Sequence, residues 1–184
     1  VESMSVATEV LQENEKFLRK AEQAGCALAK VSKRPAKKVA VVTCMDARLI
    51  DMLEPALGLA RGDANIIKVA GNVMTDGFSD VVRSIMVSVY ELGAETVLIV
   101  GHEDCGMERT TAEDLAVKME ARGVAPSAIK EVFDDMKSWA DSFKCSGDNV
   151  KQAVLALKEN PLLPADLKVA GFVINPDTGK LTEV

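Results

Sequence analysis

The run Val39-Ala40-Val41-Val42-Thr43 leaves this chain few folds to choose from. It is apolar or β-branched throughout, opened by Lys37-Lys38 and closed by polar residues, which is the pattern of a strand buried on both faces of a parallel sheet. It ends abruptly in Cys44-Met45-Asp46-Ala47-Arg48, a thiol, a carboxylate and a guanidinium within five residues. A second run of the same kind, Thr96-Val97-Leu98-Ile99-Val100-Gly101, ends in His102-Glu103-Asp104-Cys105-Gly106-Met107. Ligands of open α/β sheets sit just past the C-terminal ends of such strands. Two strands therefore bring metal-type side chains to the same edge.

The rest of the chain supplies the elements that cover this sheet. Residues 5 to 27 place Val6, Val10, Leu11, Phe17, Leu18 and Ala21 at helical spacing between Glu and Lys, which predicts an amphipathic helix. Leu49 to Leu57 reads as a short helix ended by Gly58, and Asn65 to Ala70 as a second strand stopped by a tight turn at Gly71-Asn72. Val81, Val82, Ile85, Met86, Val89 and Leu92 predict a helix over 79–92 closed by Gly93. After the third strand come helical stretches at about 111–122, 126–143 and 147–159, then a strand over Val169 to Ile174. The turn residues 175–179 lead into a short last strand, Lys180 to Val184.

Strands alternating with helices predict a doubly wound α/β fold with a mainly parallel sheet and right-handed crossovers. The expected strand order is 2-1-3-4, with the final strand antiparallel at the edge. In that order strands one and three are neighbours whose chains leave in opposite directions, and a crevice opens where Cys44, Asp46, His102 and Cys105 arrive. With 184 residues the chain reads as one domain, an N-terminal helical arm over 1–36 followed by an α/β core over 37–184.

Composition narrows the partners. A net charge of −6 without a long basic run argues against nucleic acid and against an anionic membrane surface. The apolar runs are too short to span a bilayer and follow no signal-peptide pattern. Four cysteines, at 26, 44, 105 and 145, lack the density of a secreted disulfide scaffold. A cytoplasmic protein with a metal or catalytic use for some of its thiols is the expectation.

Two thiolates and an imidazole form a ligand set suited to Zn²⁺, and three protein ligands leave a fourth tetrahedral position for water or substrate. His102-x-x-Cys105 lets one loop aim both side chains at one ion, with Cys44 completing the set from the adjacent strand. Two thiolates cancel the ion's charge, so water at such a site is acidified less than at a three-histidine site, and activity should rise toward alkaline pH. Asp46 either takes the fourth metal position or hydrogen-bonds the water there. Arg48 can hold that carboxylate in a bidentate pair and keep it off the metal, so the pair would orient and gate the site. Gly71-Asn72 and Gly106 fall near the pocket, and Lys68 and Arg83 divide between salt bridges and an anion-attracting rim. Cys26 and Cys145 read as small buried hydrophobes. Glu103 and Asp104 read as supporting or solvated groups rather than ligands.

Cys44-x-Asp46-x-Arg48 followed by His102-x-x-Cys105-Gly106 resembles the β-class carbonic anhydrases, most closely their short archaeal-type branch. The resemblance continues through Asp51-Met52-Leu53-Glu54, Arg61-Gly62-Asp63-Ala64, Ala70-Gly71-Asn72 and Pro161-Leu162-Leu163-Pro164, and so spans about residues 37–184. It implies one zinc per chain on Cys44, His102 and Cys105, with Asp46 and Arg48 as catalytic dyad. It also implies reversible hydration of CO2 to bicarbonate and a proton, in a homodimer or a higher homo-oligomer. The chain departs from the family in carrying Ala47 where Ser is usual, and in having His102 as its only histidine, so that no second imidazole can shuttle protons. Two other readings compete: a hydrolase of carbonyl sulfide or carbon disulfide on the same scaffold, and a non-catalytic zinc-binding module closed by Asp46.

Overall fold

The computed structural model describes residues 5–23, 30–74 and 76–184. The chain divides into two units, residues 1–31 and 32–184. Among its described residues the first contains a helix, α1 (Val6–Gln23), whose apolar side chains Val6, Val10, Leu11, Phe17 and Leu18 are all exposed. Its predicted continuation through residue 27, with Cys26, lies outside the described residues.

The second unit is built on a five-stranded sheet in the order β2-β1-β3-β4-β5. Its strands are β1 (Val39–Cys44), β2 (Ala64–Val69), β3 (Thr96–His102), β4 (Lys168–Ile174) and β5 (Leu181–Glu183). The first four are parallel and β5 runs antiparallel to β4. This is the predicted fold class and strand order. Alternation along β1 explains why the sheet needs cover on both sides: Ala40 and Val42 pack with Val82, Ile85, Val150 and Leu157, whereas Val41 packs with Leu49, Leu53, Met107 and Phe143. All three β1 side chains named are fully buried.

The helices of this unit are α2 (Leu53–Ala56), α3 (Asp80–Met86), α4 (Ala112–Ala121), α5 (Pro126–Ala140) and α6 (Ser146–Lys158). Two differ from the sequence expectation. The stretch 49–57 is not one helix: a 3₁₀ turn over Ala47–Leu49 is followed by Asp51 at φ 56°, a left-handed residue no α-helix accommodates, and only four residues of helix remain in α2. The helix predicted over 79–92 is α-helical only to Met86 and continues as a wider π turn over Val87–Glu91. Within that turn the buried Ser88 donates its hydroxyl to Asn65 Oδ1 on β2 at 2.6 Å, an anchor that hydrophobic periodicity does not encode.

Helix α6 lies close on the sheet because two strand residues lack side chains. A Cβ at Gly101 would sit 2.8 Å from Val150 Cγ2, and one at Gly171 would sit 2.6 Å from Val150 Cγ1. The first turn of α6 thereby reaches the end of β3, where Ser146 Oγ donates to the His102 carbonyl at 2.5 Å.

Candidate metal centre

The parallel pairing of β1 with β3 sets Thr43 opposite Val100, and the Thr43 hydroxyl donates to the Val100 carbonyl at 2.8 Å. Cys44 ends β1 and His102 ends β3, so both leave the sheet at the same edge. Beyond His102 the chain turns through Asp104 at φ 52°, which brings Cys105 back toward the same point. Cys44 Sγ and Cys105 Sγ are 4.0 Å apart. The ligand atoms of Cys44, His102 and Cys105 all lie within 4.8 Å of one another, and all three residues are buried.

This set fits zinc on three counts. A tetrahedral ion with Zn–S near 2.3 Å requires sulfurs about 3.8 Å apart, close to the separation seen. His102 Nδ1 lies 2.8 Å from the Glu103 carbonyl, an acceptor that assigns the ring proton to Nδ1 and leaves the Nε2 lone pair free. Finally, Nε2 is buried without a hydrogen-bond partner, which is costly for a polar atom unless something binds it.

The metal-free electrostatics agree with two thiols sharing a small space. The Cys105 thiol donates toward Cys44, and the Gly71 N–H reaches Cys44 Sγ at 3.3 Å. Together with His102 they hold the Cys44 thiol well below its usual range. Cys105 moves the opposite way, because its proton is held by the Cys44 thiolate and burial disfavours a second charge. Burial disfavours the His102 cation, but Cys44, the Glu103 carbonyl and Asp46 together outweigh this and its pKa is raised. A divalent cation would relieve this accumulation of negative charge.

Asp46 caps the turn that carries Arg48, accepting the Arg48 backbone N–H at 2.8 Å. The Arg48 side chain returns to the same carboxylate in a fork, Nε to Oδ1 at 3.1 Å and Nη2 to Oδ2 at 2.9 Å. Those bonds draw the Asp46 pKa down to about 2. Asp46 Oδ2 stands 3.7 Å from His102 Nε2, beside the ligand cluster rather than within it.

The other predicted pocket residues are distributed as follows. Gly71 and Asn72 form the turn after β2, both buried and both with positive φ, and the Gly71 N–H is the one that meets Cys44. Gly106 opens the 3₁₀ turn after Cys105 and has open space around it. Lys68 pairs with Glu54 at 3.2 Å, and Arg83 pairs with Asp80 and lies over the Phe78 ring, so both make salt bridges. Cys145 is exposed at the start of α6, not buried as expected. A surface cavity of about 790 Å³ lined by Asp76, Val132, Asp135, Met136, Ser138 and Trp139 contains none of the site residues. Sequence reasoning missed Ser146 on the His102 carbonyl and Asn149, whose Nδ2 donates to the Gly71 carbonyl at 2.9 Å. Both act across the fold, and neither has a local sequence signature.

The carbonic anhydrase family profile matches residues 39–181, a span that contains every residue of this cluster. The chain belongs to the β-carbonic anhydrase family. It is 41% identical to YvdA of Bacillus subtilis over 180 residues, 96% of this chain and 90% of YvdA. The crystal structure of β-carbonic anhydrase isoform I from Trichomonas vaginalis superposes with a TM-score of 0.93 at 40% identity, covering 98% of this chain and 97% of that one. A carbon disulfide hydrolase from Saccharolobus solfataricus is 30% identical over 161 residues, 79% of this chain and 76% of the hydrolase. Family membership makes this chain an enzyme of the carbonic anhydrase type. The short archaeal-type branch is not distinguished from the rest of the family.

Proposed function

We propose that the protein hydrates carbon dioxide reversibly to bicarbonate and a proton, with one zinc ion on Cys44, His102 and Cys105 and with Asp46 and Arg48 as its catalytic pair. The observation that carries this reading is the buried, unpartnered His102 Nε2 facing two thiols, with an ionised carboxylate held at the rim. Zinc supplies Lewis-acid chemistry there, making water acidic enough to yield a nucleophile near neutral pH. Glu103 fixes the His102 tautomer through its carbonyl, and Gly71 orients Cys44 through its N–H. Asp46, ionised down to about pH 2, only accepts hydrogen bonds, so Oδ2 favours a species that presents an O–H and repels a bare oxyanion. Arg48 occupies both carboxylate oxygens and restrains Asp46 from the open position.

Hydrolysis of carbonyl sulfide or carbon disulfide is the second reading, supported by the carbon disulfide hydrolase relative. The higher identity to the Trichomonas carbonic anhydrase favours CO2. A non-catalytic zinc module would need Asp46 to close the site, whereas its carboxylate is committed to Arg48. Homodimers or higher homo-oligomers belong to the same proposal, supported by the exposed apolar side chains of α1, as does a cytoplasmic location.

The test is stopped-flow CO2 hydration on zinc-loaded protein from about pH 6.5 to 9, with metal content and carbon disulfide hydrolysis measured on the same sample. Rapid CO2 turnover rising with pH supports the reading, and that rise is not deprotonation of Asp46, which is already ionised throughout the range. One zinc per chain with carbon disulfide turnover alone would transfer the assignment to the second reading. Zinc without either activity would leave the non-catalytic module.

A further inference from the structure

Arg48 is long and 40% exposed, and an exposed ion pair by itself restrains little. Its grip on Asp46 is reinforced from the other loop of the site. Arg48 Nη2 donates to the main-chain carbonyl of Asp104 at 2.9 Å, and Nη1 donates to Asp104 Oδ2 at 3.3 Å. The remaining carboxylate oxygen, Oδ1, accepts from Arg109 Nη2 at 3.2 Å.

Asp104 lies between His102 and Cys105, at φ 52°. Only Gly, Asn and Asp adopt that conformation readily. The same left-handed turn that lets the two flanking side chains converge also places the Asp104 carbonyl against Arg48. The guanidinium is therefore gripped on one side by the loop after β1 and on the other by the loop after β3. Were the second grip lost, Arg48 could swing to solvent and take Asp46 with it or release it. Asp46 Oδ2 is already only 3.7 Å from His102 Nε2.

We propose that Asp104 is a positioning residue: by clamping Arg48 through its carbonyl and carboxylate, it holds Asp46 out of the open position beside Cys44, His102 and Cys105. The proposal rests on the zinc reading above. It assigns to Asp104, one of the two residues between His102 and Cys105, a role that metal ligation does not require.

Asp104→Asn keeps the turn and the carbonyl but removes the charge, and Asp104→Gly keeps the turn and removes the side chain, so neither strains the backbone. With zinc bound, kcat should fall roughly 3- to 10-fold in Asp104→Asn, the worth of one ordinary hydrogen bond, and at least as far in Asp104→Gly. KM should be little changed and one metal per chain should be retained. On cobalt-substituted protein, thiocyanate followed by visible absorption should bind several-fold more weakly in the same order, because a released Asp46 competes for the open position. In an Arg48→Ala background, Asp104→Asn should add less than about a 2-fold effect. Wild-type kcat and thiocyanate affinity in both variants would overturn the proposal. So would an undiminished effect in the Arg48→Ala background, or loss of the metal. If the wild-type protein hydrates no CO2, the functional reading fails, while the thiocyanate titration still decides the role of Asp104.

Discussion

Replacing Gly71 by Ala perturbs the site through a residue that contributes no side chain to it. Gly71 has φ 61° and ψ 13°, a left-handed conformation that costs an alanine about 1–2 kcal/mol. The added Cβ would also sit 2.8 Å from Met107 Cγ, 3.0 Å from Phe143 Cε2 and 3.1 Å from Met107 Cβ. Carbon atoms prefer about 3.5 Å or more, and both neighbours are buried, so relief requires repacking at a further cost of about 1–3 kcal/mol. The turn cannot simply move away. Its N–H is bound to Cys44 Sγ and its carbonyl is held by Asn149 Nδ2. The expected destabilisation is about 2–5 kcal/mol, read from urea unfolding of the metal-free protein. Gly93→Ala is the control: Gly93 has φ 80°, but a methyl group there would meet nothing within 4 Å, so only the conformational cost applies. If Gly71→Ala is no more destabilising than Gly93→Ala, the close-packing argument is refuted. Zinc affinity should fall alongside stability in Gly71→Ala, through the disturbed Cys44 contact, and stay at the wild-type value in Gly93→Ala.

Three further outcomes are expected. Cys105→Ser should lose zinc, and retention of one zinc per chain on metal analysis would remove Cys105 from the ligand set. Arg48→Ala should lower kcat by about 10-fold or more while the unfolding free energy stays within about 1 kcal/mol of wild type, since the pair is partly exposed; full turnover would sink the catalytic pair. Asp46 has a folded pKa near 2, below the ordinary value of 3.8, so its contribution to stability is complete above about pH 4–5 and is lost as pH falls through about 2. Unfolding midpoints of metal-free wild type and Asp46→Asn should therefore converge toward pH 2 and stay evenly separated at neutral pH. A separation that grows on acidification would contradict the ionised, Arg48-bound carboxylate.

The fold class was legible because it depends on signals the chain carries locally, and the strand order followed from that class rather than from any residue. Val39–Thr43 and Thr96–Gly101 are too apolar to lie anywhere but in the middle of a parallel sheet, and the alternation with helices leaves few connections consistent with right-handed crossovers. Irregular backbone was not legible. Asp51, Asn72 and Asp104 are non-glycine residues at positive φ; Asn and Asp tolerate that conformation, but residue type alone does not say which of the chain's many Asn and Asp adopt it. The broken stretch after Asp46 and the π turn at Val87–Glu91 similarly answer to contacts made elsewhere, such as Ser88 with Asn65.

The same division runs through the site. Cys44, His102 and Cys105 could be named from residue type and strand context, because metal ligation selects side-chain chemistry. The residues that aim them act through backbone groups and across the fold: Gly71 by its N–H, Glu103 by its carbonyl, Ser146 on the His102 carbonyl and Asn149 on the Gly71 carbonyl. Backbone donors carry no residue signature, so sequence can name candidate ligands without naming what orients them. Asp104 belongs to both classes. Its tolerance of left-handed φ shapes the ligand loop, and its carboxylate and carbonyl meet the arginine of the other loop. A site assembled from two strand ends needs such a tie, because neither loop alone fixes the distance between the carboxylate at its rim and the three candidate ligands at its centre.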